Sequence, residues 1–395
     1  MDAILVINAG SSSIKFAAYD HLDTPGALHL LGKGRIALAG NDIVLVVSDG
    51  DGSLIESSRL PSAHGGFDHD AAMARLFAWL DAHRSGLTLA AVGHRVVHGG
   101  RHYAAPVRID ERVMADLETL VPLAPLHQPH NLAAIRILRT RLPAVPQLAC
   151  FDTAFHVTQP AVAQAYALPQ ALSASGVRRY GFHGLSYEYV ASQLPRLLGP
   201  AAGGKVIIAH LGNGASLCGL VDGRSVATTM GFSALDGLVM GTRCGSLDPG
   251  VVLYLLQDRG MTAAEVSDLL YRRSGLLGMS GISSDMQLLL ASTAPDAMAA
   301  IDLFVYRIVC DIGALAAAMG GLDALVFTGG IGEHAAAIRA RVIRGCHWLG
   351  ARGDDDANLA GATRLQAPDS RVLLALVPTD EERVIGQHVA THINS

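Results

Sequence analysis

Cysteine is scarce in this chain: five among 395 residues, at positions 150, 218, 244, 310 and 346, odd in number, widely spaced and with no CxxC pair. That argues against both a disulfide framework and a thiolate zinc site. Long apolar runs are also lacking. Half of the residues are hydrophobic and the mean hydropathy is +0.33, yet charges or glycines break every apolar stretch short of the roughly 18 residues a membrane span needs. No basic run accompanies the net charge of −5, so the electrostatic footprint of a nucleic-acid binder is missing. The start, Met1-Asp2-Ala3, carries no basic segment and enters a strand pattern directly, which argues against a signal peptide and makes a cytoplasmic location the expectation. No low-complexity stretch is long enough to serve as a linker.

What is present is one device used repeatedly. The apolar run Ile4–Ile7 breaks into Asn8-Ala9-Gly10-Ser11-Ser12-Ser13 and then Lys15. Val206–Ala209 breaks into His210-Leu211-Gly212-Asn213-Gly214-Ala215-Ser216, and Ala324–Thr328 into Gly329-Gly330-Ile331-Gly332-Glu333-His334. Each is a buried strand feeding a small-residue turn whose backbone N–H groups can approach an anion while hydroxyl and amide side chains reach phosphate oxygens or a metal. A nucleotide held from three sides, in a duplicated α/β fold, is the reading these turns support.

Residues 1–60 alternate short apolar strands with polar turns, the pattern of an antiparallel meander. Helical spacing follows over 67–83, 110–120 and 131–141, with Asn131 as the expected N-cap behind Pro129. A strand ends near Phe151-Asp152, where the first half closes, and the alternation restarts at Val206. Helices are expected from 249 to 290 and over 296–319, then strands at 325–328 and 373–377 and a last helix at 383–389 that returns to the first domain. The domains so read are 1–150 with 382–395, and 151–381.

Phosphoryl transfer needs cations to neutralise charge building on the equatorial oxygens. Arg95, in Gly93-His94-Arg95-Val96-Val97-His98-Gly99-Gly100, and Arg243, in Met240-Gly241-Thr242-Arg243-Cys244-Gly245, stand among small and apolar neighbours, where a cation is costly unless an anion meets it. The bland alternative is a buried ion pair. His127, His156 and His183 stand beside proline, glycine or aromatic residues as candidate donors, while His94 and His98, four apart, lack the glutamate of a zincin helix. Asp152 reads as an orienter of a cation or hydrated metal, or as a helix cap. Glu381 and Glu382 read as an acidic first helical turn or as metal ligands.

Taken in order, these blocks resemble the acetate kinase family from Val6 to Glu382. The resemblance implies an actin-like ATPase fold of two domains with a duplicated ribonuclease H-like core, ATP in the interdomain cleft, Mg²⁺ (or Mn²⁺ in its place), and a homodimer. Carried onto this sequence, the family's catalytic groups fall on Arg95, Asp152, His183, Arg243 and His127, and the residues near magnesium on Asn8 and Glu381. Phosphate and nucleotide contacts fall on Ser12, Lys15, His210, Gly212, Asn213, Gly214, Gly329, Gly330 and Gly332, and the walls of the substrate methyl pocket on Val97, Leu126, Phe182 and Ala234. The reaction implied is direct in-line transfer between ATP and a carboxylate, with small-molecule partners only and neither nucleic acid nor membrane.

The chain departs from the family pattern at several positions. Leu185 and Tyr187 stand where Thr and His are usual, Ala227 and Ser246 where Asp is common, Gln128 where Asn is common, and Ala234 where a proline lines the methyl pocket. A propionate or butyrate kinase is the nearest alternative. A sugar kinase would need a base to deprotonate a hydroxyl, whereas a carboxylate is already ionised and needs only cationic neighbours. An actin-like ATPase would turn over ATP without any acid.

Overall fold

The computed structural model describes residues 2–10, 13–21, 28–39, 42–61, 67–83 and 88–393. It divides into two compact units, 1–154 with 380–395 and 155–379.

In the first unit the alternating segments form β1 (Asp2–Ala9), β2 (Ser13–His21), β3 (Leu28–Ala39), β4 (Asp42–Asp49), β5 (Leu54–Pro61), β6 (Thr88–Val96), β7 (Val107–Arg108) and β8 (Gln147–Phe151). They make one sheet in the order β5-β4-β3-β2-β1-β6-β8-β7. β1 to β5 pair antiparallel in sequence order, whereas β6 joins β1 in parallel and β8 joins β6 in parallel. One face is packed by the helix His69–His83 and the helix Gln128–Arg141, with Leu5, Ile7, Phe16, Leu76, Phe77, Val92 and Leu138 in a common core. The other face receives the C-terminal helix Glu381–Ile393. A Cβ at Gly93 would lie 2.5 Å from Ile385 Cγ2 and 2.7 Å from Val389 Cγ2, so only glycine lets this helix approach β6 and bring its first turn to the end of β1.

The second unit contains β9 (Lys205–Leu211), β10 (Ala215–Val221), β11 (Arg224–Thr228), β12 (Ala324–Thr328) and β13 (Leu373–Leu376), in the order β11-β10-β9-β12-β13. Three antiparallel strands are followed by two parallel additions on the far side of the first. The five central strands of the first sheet, β3-β2-β1-β6-β8, have the same order and directions, so the duplication expected from the strand-turn segments is present as topology. Parallel strands are buried on both faces, which is why β9 and β12 read as continuous apolar runs. The helix Gly184–Leu198 packs Tyr187, Val190 and Leu194 on Val206, Ile208 and Val326.

The compact units divide after Ala154 and before Asp380, which puts Asp152 and Glu381 with Asn8 and Arg95. The Asp152 N–H donates to Val96 O at 3.1 Å, tying that residue to β6. One expectation is corrected: Asn131 is not a helix cap. The helix starts at Gln128 with His127 at the cap position, and Asn131, buried within it, donates to Ala9 O at 2.6 Å and accepts from the Val97 N–H at 3.0 Å. All five cysteines are free thiols. No helix among the described residues is long and apolar enough to cross a membrane.

Candidate active site

In open α/β sheets, ligand-binding residues collect beyond the carboxyl ends of the parallel strands, and the candidate residues of each unit lie there. In the first unit β1 ends at Asn8-Ala9, β6 delivers Arg95, and Asp152 follows β8. Arg95 is held by its carboxylate neighbour on two sides: Nε lies 3.0 Å from Asp152 Oδ1 and Nη2 lies 2.6 Å from Oδ2. Nη1 donates to Asn8 Oδ1 at 3.2 Å, and the Asn8 amide in turn donates to Glu381 at 2.9 Å and Glu382 at 2.8 Å. Burial opposes the charge on Arg95, but Asp152, Glu381 and Glu382 outweigh it and raise the guanidinium above its ordinary range. Glu382 is pushed up by burial and by its neighbour Glu381, against the attraction of Lys15. Lys15, exposed on β2, is the register partner of Asn8. Ser12 lies outside the described residues.

Among the described residues no three His, Cys, Asp or Glu side chains are placed to hold a metal by themselves. The chemistry of the Asn8–Glu381–Glu382 group nonetheless fits Mg²⁺, which keeps several waters and takes one or two carboxylates plus substrate phosphates. Two adjacent carboxyl groups, one of them resisting ionisation, gain from a cation. His127 stands half-buried at the start of the helix Gln128–Arg141, next to Leu126, and Val97 is buried just after β6.

In the second unit the turn Gly212–Gly214 joins β9 to β10. The Gly241 N–H donates to Asn213 O at 2.9 Å, which ties this turn to the loop carrying Arg243. Arg243 Nη1 donates to Ala234 O at 2.5 Å. A Cβ at Gly214 would lie 2.6 Å from Arg243 Nη2 and 3.2 Å from His183 Nε2. The candidate arginine and the candidate histidine therefore converge on one glycine that has no side chain to block them. A Cβ at Gly212 would lie 3.9 Å from the Gly330 nitrogen, so the glycines at 329–332 border the same turn. They form the first turn of the helix Gly329–His334, where Glu333 Oε1 accepts from the Gly329 and Thr379 N–H groups.

His183 occupies the left-handed region at φ 60°, an uncommon conformation for a residue with a Cβ and one that recurs at functional sites. Its Nδ1 is 2.8 Å from Ser216 Oγ, and its ring stacks on His210 with centroids 4.2 Å apart. His210 Nδ1 is in turn 2.8 Å from Ser186 Oγ.

The chain matches the Acetokinase family model over residues 3–387. It is 57% identical over 391 residues to an acetate kinase from Rhodopseudomonas palustris, covering 98% of each chain. This chain belongs to the acetokinase family. Its fold is that of solved kinases: a propionate kinase from Francisella tularensis superposes with a TM-score of 0.87 at 36% identity, covering 98% of this chain and 99% of that one. The Porphyromonas gingivalis acetate kinase gives 0.84 at 35% identity over the full length of both.

Within this acetokinase, His156, read from the sequence as a candidate donor, is placed as a support, and Arg339 and Gln128, outside the expected site set, also shape the site. His156 is buried, with Nε2 2.9 Å from Phe182 O and Nδ1 2.9 Å from Ser225 Oγ. Burial pulls its pKa down to about 4, so it is a neutral support beneath Phe182 and His183. Arg339, buried, donates to the carbonyls of Gly332 and Glu333 at 2.9 Å and to Asn358 Oδ1 at 2.7 Å, closing the glycine-rich helix. Gln128 accepts from the His98 N–H at 3.2 Å and donates to its carbonyl at 3.2 Å. An aromatic block around His156 was a signal. Arg339 carried none, since its partner Asn358 is distant in sequence.

Proposed function

We propose that this acetokinase transfers the γ-phosphoryl group of ATP to acetate, giving acetyl phosphate and ADP, and runs the reverse reaction with the same groups. The observation that carries the reading is the convergence of Arg243 and His183 on Gly214, in a turn that borders Gly330. A small-residue turn flanked by a guanidinium and an imidazole suits a phosphoryl group gaining negative charge. An acetate oxygen attacks the γ-phosphorus in line as the bond to the ADP oxygen breaks, with no phosphoenzyme. Acetate arrives ionised, so no general base is required.

Arg95, oriented by Asp152, and Arg243, anchored on Ala234 O, neutralise the equatorial oxygens, with His183 and His127 as further donors. Asn213, Gly214, His210 and Lys15 face the phosphates, and Gly329, Gly330 and Gly332 border the adenosine. Asn8 and Glu381 would hold magnesium, which supplies charge neutralisation on the nucleotide phosphates. Val97, Leu126, Phe182 and Ala234 would line the methyl group. A cytoplasmic homodimer completes the reading. Its support is that the helices Pro249–Gln257, Met286–Ala291 and Pro295–Met319 expose Leu253, Tyr254, Leu288, Met298 and Tyr306, apolar surface that a second copy would cover.

A coupled assay of ADP formation with acetate, propionate, butyrate and glucose tests the reaction. Highest kcat/KM with acetate is expected. Turnover independent of any acid, or dependent on the sugar, would overturn it.

A further inference from the structure

Tyr187 lies one helical turn beyond His183, where the family pattern has histidine, and it is fully buried. Its ring is fixed edge-on against His156 and His210, with centroids 5.6 and 6.4 Å away. Its hydroxyl hydrogen-bonds Ser216 Oγ and, among the described residues, no other group. Ser216, itself buried, also meets His183 Nδ1 at 2.8 Å. One serine proton thus stands between two neighbours, and which way it points decides where the imidazole proton sits.

Three arrangements are possible, and if Ser216 accepted from both neighbours its own buried hydroxyl proton would have no acceptor among the described residues. If Ser216 gave its proton to the tyrosine oxygen, the phenolic proton would be buried with no acceptor, which is unfavourable. Losing that proton is no escape, because burial pushes the phenol well above its usual pKa. The remaining arrangement satisfies every group: Tyr187 O–H donates to Ser216 Oγ, and Ser216 O–H donates to His183 Nδ1. An imidazole nitrogen that accepts must be unprotonated, so the ring proton of neutral His183 lies on Nε2. That is the atom 3.2 Å from the Cβ position of Gly214, on the side where Arg243 approaches.

We propose that Tyr187 is a positioning residue that, acting through Ser216, holds His183 as the Nε2–H tautomer with its donor facing the Gly212–Gly214 turn. This rests on the reading of His183 as a donor to the transferring phosphoryl group. The departure at 187 then has a consequence: a tyrosine can only pass its proton toward Ser216, whereas a histidine could either donate or accept.

The test uses full-length protein labelled with ¹⁵N-histidine, with the His183 signals assigned by their loss in His183→Gln. Wild type should show a protonated Nε2 and an unprotonated Nδ1. Tyr187→Phe keeps the ring that fills the core and removes only the hydroxyl, freeing Ser216 to accept as well as donate. Its Nδ1 signal should move to an exchange-averaged position, and Ser216→Ala should shift it the same way. In Tyr187→Phe, kcat for acetate phosphorylation should fall about tenfold while KM for ATP and acetate stays within about twofold, the signature of an interaction realised in the transition state. A protonated Nδ1 in wild type, or a Tyr187→Phe pattern identical to wild type, overturns the proposal. If the tautomer mixes as expected but both Tyr187→Phe and His183→Gln keep wild-type kcat, the relay stands and the donor reading of His183 fails.

Discussion

Asp152 grips Arg95 along the edge of its guanidinium, one carboxylate oxygen 3.0 Å from Nε and the other 2.6 Å from Nη2, which leaves Nη1 to reach Asn8. Arg95 is thus in a largely buried ion pair, and the pair aims its remaining donor edge toward the group at the end of β1. A bidentate fork of this kind fixes direction as well as charge. Arg95→Ala should therefore lower kcat by about 10³-fold, the scale of a lost arginine finger, with little change in ATP binding. Asp152→Asn should lower kcat as well, by misaligning Arg95, while leaving the magnesium concentration for half-maximal activity unchanged. A large magnesium shift in Asp152→Asn would show that this carboxylate serves the metal rather than the arginine.

The adjacent acids give a second expectation. Asn8 donates to both Glu381 and Glu382, and Glu382 resists ionisation through burial and its neighbour, so Glu381 is the ligand expected under the proposed magnesium role. Glu381→Gln should raise the magnesium requirement in a titration of activity. A rise seen only in Glu382→Gln would transfer the role to that neighbour.

Much of this was legible in the sequence because strand-then-glycine segments are local. The apolar lead-ins of β1, β9 and β12 and the turns after them are each written within about a dozen residues, and both their existence and their repetition could be read. What could not be read is which long-range partner claims a polar side chain. Asn131 behind Pro129 has the local signature of a cap, yet its amide bridges Ala9 and Val97, more than 30 residues away along the chain. Nor does anything local show that Asp152 is tied to β6. The role of Glu381 beside Asn8 is visible only through the close approach of its helix at Gly93.

A third expectation concerns stability against pH. His94, whose Nε2 lies 2.8 Å from Gln147 Oε1, and His156, which holds Phe182 O, are both brought down to about 4 by burial, each against one opposing hydrogen bond. A histidine with a depressed folded pKa binds its proton more readily when unfolded. Its contribution is complete above the ordinary value of about 6.5 and is lost as pH falls from there toward 4. Each group is worth of the order of 3 kcal/mol across that window. Urea unfolding of the wild type should therefore show stability dropping steeply between pH 6.5 and 4.5, and His94→Gln should flatten that drop. Equal slopes in the two proteins would mean His94 takes up a proton in the folded state.

The last expectation concerns the acid itself. Position 234 carries one observed contact and one expectation: the Ala234 carbonyl anchors Arg243 at 2.5 Å, and the family resemblance implies that its methyl takes the place of a proline ring against the substrate's methyl group. Proline keeps the carbonyl, so Ala234→Pro preserves the anchor while adding ring carbons to the wall. One methylene in an apolar pocket is worth about 1–3 kcal/mol of discrimination. With the smaller alanine in place, propionate should approach acetate in kcat/KM, and Ala234→Pro should move the acetate-to-propionate ratio up by about tenfold or more with acetate turnover retained. Strong discrimination in the native protein that the proline leaves unmoved would show that the backbone around 234 has closed the space. A collapse of turnover with both acids would instead show that the ring displaces the carbonyl and releases Arg243.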